Sequence, residues 1–259
     1  VISEIRTDLA SGRRERMRAL IRRTGIVRVE DLRKDLKVSV ATVRRDLEAM
    51  EDEGRVRRVH GGAISMESRL DESGFDTKTG LASKEKRLIA GEAVKLISSG
   101  DSIFLDGGST VLELARLLAD RSDLTVVTNS LRAATELANS RLRIILTGGE
   151  LRLLSQTMVG PLTRVVLAKV RVDKACMGTR GLSGEDGLTT TDPNEAFTKD
   201  LVQKQAREVI LLADSRKWGK VSFSRVSGFE SVDVLITDKK FPTKDARALR
   251  KRDVKVRLV

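Results

Sequence analysis

Cysteine and histidine are almost absent from this sequence: Cys176 and His60 stand alone of their kinds in 259 residues. A single thiol excludes an internal disulfide, and one thiol with one imidazole cannot build a zinc cluster. No metal site and no cofactor is therefore expected. Long apolar runs are also missing. None approaches the ~18 residues of a membrane span, and no apolar segment near Val1 resembles a secretory signal. The expected setting is the cytoplasm, with no membrane partner. Two nucleotide-binding signatures are lacking as well: the Gly-Lys-Ser/Thr end of a Walker loop, and GxGxxG after a strand.

What the chain has is positive charge. It carries 49 Lys and Arg against 37 Asp and Glu, a net charge of +12. The excess is densest in the first 65 residues, where 14 of 16 basic residues are arginine against 11 acidic residues. Such a bias favours an anionic partner, most simply the phosphates of nucleic acid. Over the whole chain, 40% apolar and 33% charged residues describe an ordinary globular protein, long enough for one large domain or two smaller ones.

Three helical segments precede Gly54. Ser11 is placed to cap the first, whose face is Met17, Leu20 and Ile21, and Gly25 is placed to stop it. Residues 29–36 form the second, with Leu32 and Leu36 inward. Only Lys37-Val38-Ser39 separates it from the third, a tight helix-turn-helix spacing. Ser39 caps that third helix, and Val43, Leu47 and Met50 point into a core at i, i+4, i+7. This phase leaves Ala41, Thr42, Arg44, Arg45 and Glu48 off the core face. Arginine can form two hydrogen bonds to a guanine edge in the major groove. Arg44 and Arg45 are therefore the candidates for reading bases, with Ser39, Ala41 and Thr42 beside them for bases or phosphates. Arg55, Arg57, Arg58 and His60 form a basic wing suited to backbone or minor groove. The plainer alternative is a solvated helix face, its arginines paired with Asp46, Glu48 and Glu51.

From Thr42-Val43-Arg44-Arg45-Asp46-Leu47 through Arg58-Val59-His60-Gly61-Gly62-Ala63, the sequence resembles the N-terminal signature of the DeoR family of bacterial repressors. That resemblance implies a winged helix-turn-helix joined to a C-terminal domain that senses phosphorylated sugars.

Residues 61–82 are rich in turn formers and read as a connection. The expected division is a DNA-binding domain over 1–62, a linker over 63–82 and a sensor domain over 83–259. A helix begins at Ser83, with Leu88, Ile89, Leu96 and Ile97 as its stripe, and ends at Gly100. Strands then follow at 102–106, 124–128, 143–147, 173–177, 208–213 and 233–237. Helices are expected at 110–119, 130–138, 161–169, 194–206 and 244–251, with an edge strand over 254–258. Short, nearly continuous apolar strands alternating with helices indicate an α/β fold, a mostly parallel sheet flanked by helices.

In such sheets ligands bind outside the C-terminal ends of the strands. Here those ends carry Asp106-Gly107-Gly108-Ser109-Thr110, Thr128-Asn129, Thr147-Gly148-Gly149, Gly178-Thr179-Arg180-Gly181 and Asp214-Ser215-Arg216-Lys217. Polar, glycine-rich loops indicate a small polar ligand. The first loop suits an anion: its glycines let backbone N–H groups approach, Ser109 and Thr110 add hydroxyls, and the following helix adds its dipole. Lys217 reinforces that reading. Asp106 to Thr110, Val126 to Asn129, Thr147 to Gly149, Gly187 to Thr190 and Leu212 to Asp214 also resemble the DeoR sensor domain, similar in fold to ribose-phosphate isomerases and CoA-transferases. The likeness extends over about residues 13–240 and implies a phosphorylated sugar or related effector at these loops. Arg180 stands where many members of the family it resembles carry an uncharged residue; it either adds a phosphate contact or pairs with Glu185 or Asp186.

The resulting expectation is a regulator, a repressor of sugar-metabolism genes and no enzyme. It would bind a double-stranded DNA operator as a homo-oligomer, a dimer or tetramer. An alternative is a sugar-phosphate isomerase-like enzyme with an accessory nucleic-acid-binding module. Glu195 with Lys199, at i and i+4 on one helix, would supply its carboxylate base, or would be a surface ion pair. A third is a basic α/β protein whose N-terminal helices bind another protein.

Overall fold

The computed structural model describes residues 11–21, 26–53, 56–59, 61–65 and 83–259. The chain divides into two compact units, Val1–Glu72 and Ser73–Val259.

In the first unit residues 11–21 form helix α1. Ser11 is already helical and so lies inside the helix instead of capping it, while Gly25, Gly54, Arg55 and His60 lie outside the described residues. Strand β1 (Ile26–Arg28) leads into α2 (Val29–Leu36) and α3 (Val40–Asp52), followed by β2 (Val56–Val59) and β3 (Gly62–Ser65). The Ser39 hydroxyl caps α3 by accepting the Thr42 backbone N–H at 3.1 Å, a contact worth about 1 kcal/mol. Met17, Ile21, Leu32, Val43, Leu47, Met50 and Val56 fill a common core. The strands pair antiparallel in the order β1-β3-β2. β1 went unread in the sequence, and β3 extends past residue 62 into the expected linker. Gly62 is required there because a Cβ would sit 2.2 Å from the Val27 carbonyl oxygen.

The first described element of the second unit is α4 (Ser83–Val94). This helix ends before the expected Gly100, and its stripe is rotated: Lys86, Ile89, Ala90 and Ala93 face inward while Leu88 is 48% exposed. The inward set follows i, i+3, i+4, i+7, with a lysine inside it; taking Leu88 as an anchor displaced the phase.

Alternation then proceeds as expected: β4 (Ser102–Leu105), α5 (Ser109–Leu118), β5 (Thr125–Thr128), α6 (Leu131–Leu137) and β6 (Arg143–Leu146). A hairpin of β7 (Glu150–Arg152) and β8 (Thr157–Val159) precedes α7 (Pro161–Leu167) and β9 (Val172–Met177). Next come β10 (Gly181–Ser183), β11 (Gly187–Thr190), α8 (Pro193–Gln205), β12 (Ala206–Leu212) and β13 (Ser224–Ser227). The chain closes with β14 (Val234–Thr237), α9 (Thr243–Arg250) and β15 (Lys255–Leu258).

Seven strands form one sheet in the order β15-β14-β12-β9-β4-β5-β6, every pairing parallel. Ile103 and Leu105 point to a core built with α4, α5 and α6. Phe104 points to the opposite core, which holds Leu167 of α7, Val202 of α8 and Leu249 of α9. Successive side chains of a strand face opposite sides, so the sheet is covered on both. The β7–β8 hairpin and the antiparallel layer β10-β11-β13 are additions not read from the sequence.

Candidate functional site

On the first unit, the cap geometry and core phase of α3 turn one side of that helix outward. Arg44 and Arg45 are exposed, as are Ser39 and Ala41, and Thr42 is half-buried. A partly buried pair fixes the helix from behind: Arg13 of α1 donates through Nε and Nη2 to both Asp46 oxygens, at 2.6 and 3.1 Å. Asp46 therefore braces the helix and does not neutralise the outward arginines. Two parallel N–H···O bonds give such a pair direction as well as energy. Arg57 lies in β2, its side chain outside the described residues along with Arg55 and His60. Arg58 is exposed but engaged, lying 3.3 Å from Glu48 and 3.9 Å from Glu51 of α3.

On the second unit, the site grows from the strand ends. Asp106 follows β4, is 2% exposed, and accepts the Gly178 N–H beyond β9 at 2.9 Å. Its other partner is the buried ammonium of Lys199 from α8, which also donates to the Gly178 carbonyl at 3.0 Å. Lys199 and Glu195 are thus not a pair. Glu195 is buried and accepts from Thr190 Oγ1 at 2.8 Å and Arg152 Nη1 at 3.3 Å. Neither the free carboxylate base nor the surface ion pair expected of this spacing is present.

The unread hairpin contributes directly. A Cβ on Gly107 would lie 2.0 Å from the Thr157 methyl of β8, so glycine lets β8 close on the first loop. Gly149 has φ 120°, and a Cβ there would meet Thr163 Oγ1 at 2.2 Å. Thr163 itself donates to the Gly148 carbonyl at 2.7 Å. Gly181 is similarly spent on packing, its missing Cβ giving room to the Lys220 carbonyl 2.4 Å away. Several hydroxyls expected to face a ligand are engaged internally. Thr128 Oγ1 donates to the Leu105 carbonyl at 2.6 Å and accepts the Ser130 N–H, while Thr147 Oγ1 reaches only the Gly148 carbonyl, at 3.4 Å.

Two buried polar atoms in these loops have no hydrogen-bond partner within the chain: Thr110 Oγ1 in the first turn of α5, and Asn129 Oδ1 after β5. Buried polar groups left unpaired cost free energy and call for a partner. The first N–H groups of α5, entered through Gly108 and Ser109, have no acceptor within the helix.

Cations gather at the same strand ends. The Lys217 ammonium, half-buried, donates to the Thr179 carbonyl at 2.7 Å. Burial pushes its pKa down to about 8; Asp214 opposes this, and the charges of Lys86, Lys199 and Arg180 add to it. Burial would raise the Asp214 carboxyl, but its bond to Arg216 and the charges of Lys217 and Lys86 hold it below the usual range. The Arg180 charge thus acts on Lys217, and Asp186, one of the partners expected of Arg180, bonds to Ser183. Lys86, Arg152 and Thr157 went unnamed in the sequence, and Lys199 was named there only as the partner of Glu195. Lys86 alone had a local signal, a charge in phase with the buried stripe of α4.

A DeoR-like helix-turn-helix domain model matches residues 13–69, and a DeoR C terminal sensor domain model matches residues 81–239. The chain belongs to the DeoR family. It is a DNA-binding transcriptional regulator of the DeoR type, whose sensor domain takes a small-molecule effector. Among its relatives, the HTH-type transcriptional regulator YulB of Bacillus subtilis is 34% identical over 97% of both chains. The lactose phosphotransferase system repressor of Staphylococcus epidermidis is 37% identical over 85% of this chain and 88% of its own. These DeoR relatives are regulators, not enzymes. Among solved structures, ribose 5-phosphate isomerase A from Methanocaldococcus jannaschii overlaps 52% of this chain and 54% of its own, with TM-score 0.40 and 22% identity. Among the described residues no helix is long and apolar enough to cross a membrane.

Proposed function

We propose that this regulator is a cytoplasmic repressor of sugar-metabolism genes, controlled by a phosphorylated sugar bound at the strand ends of its sensor domain. The observation that carries the effector reading is the coincidence of two unpaired buried polar atoms, on Thr110 and Asn129, with the Lys217, Lys199, Lys86 and Arg180 charges. A phosphate at the start of α5 would accept from its first N–H groups and the Thr110 hydroxyl. A sugar hydroxyl would donate to Asn129 Oδ1, and Lys217 would supply the counter-charge. Similarity to a repressor of a lactose phosphotransferase system supports the choice of sugar genes.

The division of labour is a DNA-reading domain over 1–62, carried to Ser65 by β3, a connection up to residue 82, and the sensor domain from 83. Ser39, Ala41, Thr42, Arg44 and Arg45 meet the major groove of a double-stranded operator, and Arg55, Arg57 and His60 the flanking backbone. The active form is a homo-oligomer, a dimer or tetramer, because one winged helix reads one half-site. An effector acts by favouring an arrangement of subunits that no longer matches the half-site spacing.

Thermal melts followed by fluorescence of the single tryptophan, Trp218, test the effector reading. A phosphorylated sugar at about 100 times its Kd adds about 2.7 kcal/mol to the sensor domain, and its plain form adds none. Equal shifts from plain and phosphorylated sugars, or no shift across the panel, would sink the reading.

A further inference from the structure

We propose that Arg58 forms a clamp with Glu48 and Glu51 of α3 that fixes the wing against the recognition helix, making Arg58 a positioning residue and not a phosphate contact. The proposal rests on the DNA-reading role of the winged helix, and its test separates the two.

Among the described residues β2 is an outer strand of the order β1-β3-β2, with a strand partner on one side only. The Arg58 backbone N–H is nevertheless paired: it donates to Glu51 Oε1 at 2.7 Å. A side chain of the recognition helix thus takes up one outward-facing backbone donor of the wing strand. The Arg58 guanidinium turns back toward the same helix, with Nη1 3.3 Å from Glu48 and Nε 3.9 Å from Glu51. Glu48 and Glu51 are one helical turn apart, so both reach a single guanidinium.

One exposed ion pair would hold little. Here a backbone bond and two carboxylates converge on one residue and set the direction of β2 relative to α3. Charge supports the same assignment. Two unpaired carboxylates on a DNA-facing unit would repel phosphates; paired with Arg58 they do not. A guanidinium already neutralised in this way releases no counterion when DNA binds.

The test is fluorescence anisotropy of the full chain across a salt series. It uses a duplex selected from a random pool and a random-sequence duplex of equal length. Arg58→Ala is expected to leave the slope of log affinity against log salt unchanged on both duplexes. It should lower the ratio of their affinities by at least about fivefold, the lower end of what one base contact is worth. Glu48→Gln, which touches only the guanidinium, should lower the ratio in the same direction. Glu51→Gln, which keeps an oxygen for the Arg58 N–H, should lower it less than Glu51→Ala. A slope reduced by about 0.9 in Arg58→Ala would make Arg58 a phosphate contact and overturn the clamp; so would an unchanged ratio. A wild-type chain that prefers neither duplex would overturn the DNA-reading role, and the clamp with it.

Discussion

Replacing Asp106 by alanine should destabilise the sensor domain far more than an ordinary polar substitution. The carboxylate is 2% exposed and holds both the Gly178 N–H and the Lys199 ammonium. Without it, a buried ammonium keeps only the Gly178 carbonyl, and a buried N–H loses its acceptor. Removing one partner of a buried pair costs about 3–5 kcal/mol. With a urea dependence of about 2 kcal/mol per molar, the midpoint falls by about 1.5–2.5 M. Trp218 packs 4.8 Å from Phe241 and 6.1 Å from Phe229, all in the sensor domain, so its fluorescence reports that domain's unfolding. The companion Asp106→Ala/Lys199→Met should recover part of the loss, because no charge is then left buried alone. A midpoint shift under about 0.5 M for Asp106→Ala, or a double variant less stable than the single, would show that the buried pair does not hold the sensor domain together in this way.

Effector affinity should fall as pH rises through about 8, where Lys217 loses its proton, and Lys217→Met should bind weakly at every pH without that inflection. The folded-state pKa lies below the ordinary 10.5, so the unfolded chain holds more protons between these values. Stability contributed by Lys217 therefore rises with pH across that window, and a wild-type effector titration flat through pH 8 would contradict the assignment. Gly149→Ala should cost about 1–3 kcal/mol through its left-handed backbone and its clash with Thr163; an unchanged melt would show that the loop yields. Arg45→Ala should weaken binding to the selected duplex by about 1–3 kcal/mol while affinity for random DNA changes little, as measured by competition binding at fixed salt.

The strand–helix alternation is legible in the sequence because its central strands are buried on both faces and so read as apolar runs, Ile103 to Leu105 and Val209 to Leu212 among them. The core face of α3 is legible for a related reason: a 3.6-residue period leaves Val43, Leu47 and Met50 inside and the arginines out. The β7–β8 hairpin is not legible, since its three-residue strands are too short to show a period. Pairings within the site are hidden for a different reason. Lys199 lies 93 residues from Asp106, and Arg152 lies 43 from Glu195; no local pattern links such partners. Spacing within α8 suggested Glu195 with Lys199, but burial supplied each with a better-placed partner from another element.

The most direct test of the account is fluorescence anisotropy of the selected duplex bound to the full chain, titrated with the phosphorylated sugar that stabilises the sensor domain, alongside Lys217→Met. Wild-type protein is expected to release the duplex with the phosphorylated sugar and not with the plain one, and Lys217→Met is expected to bind DNA normally but fail to respond. Release of Lys217→Met at the same effector concentration as wild type, or wild-type affinity unchanged at saturating effector, would contradict it.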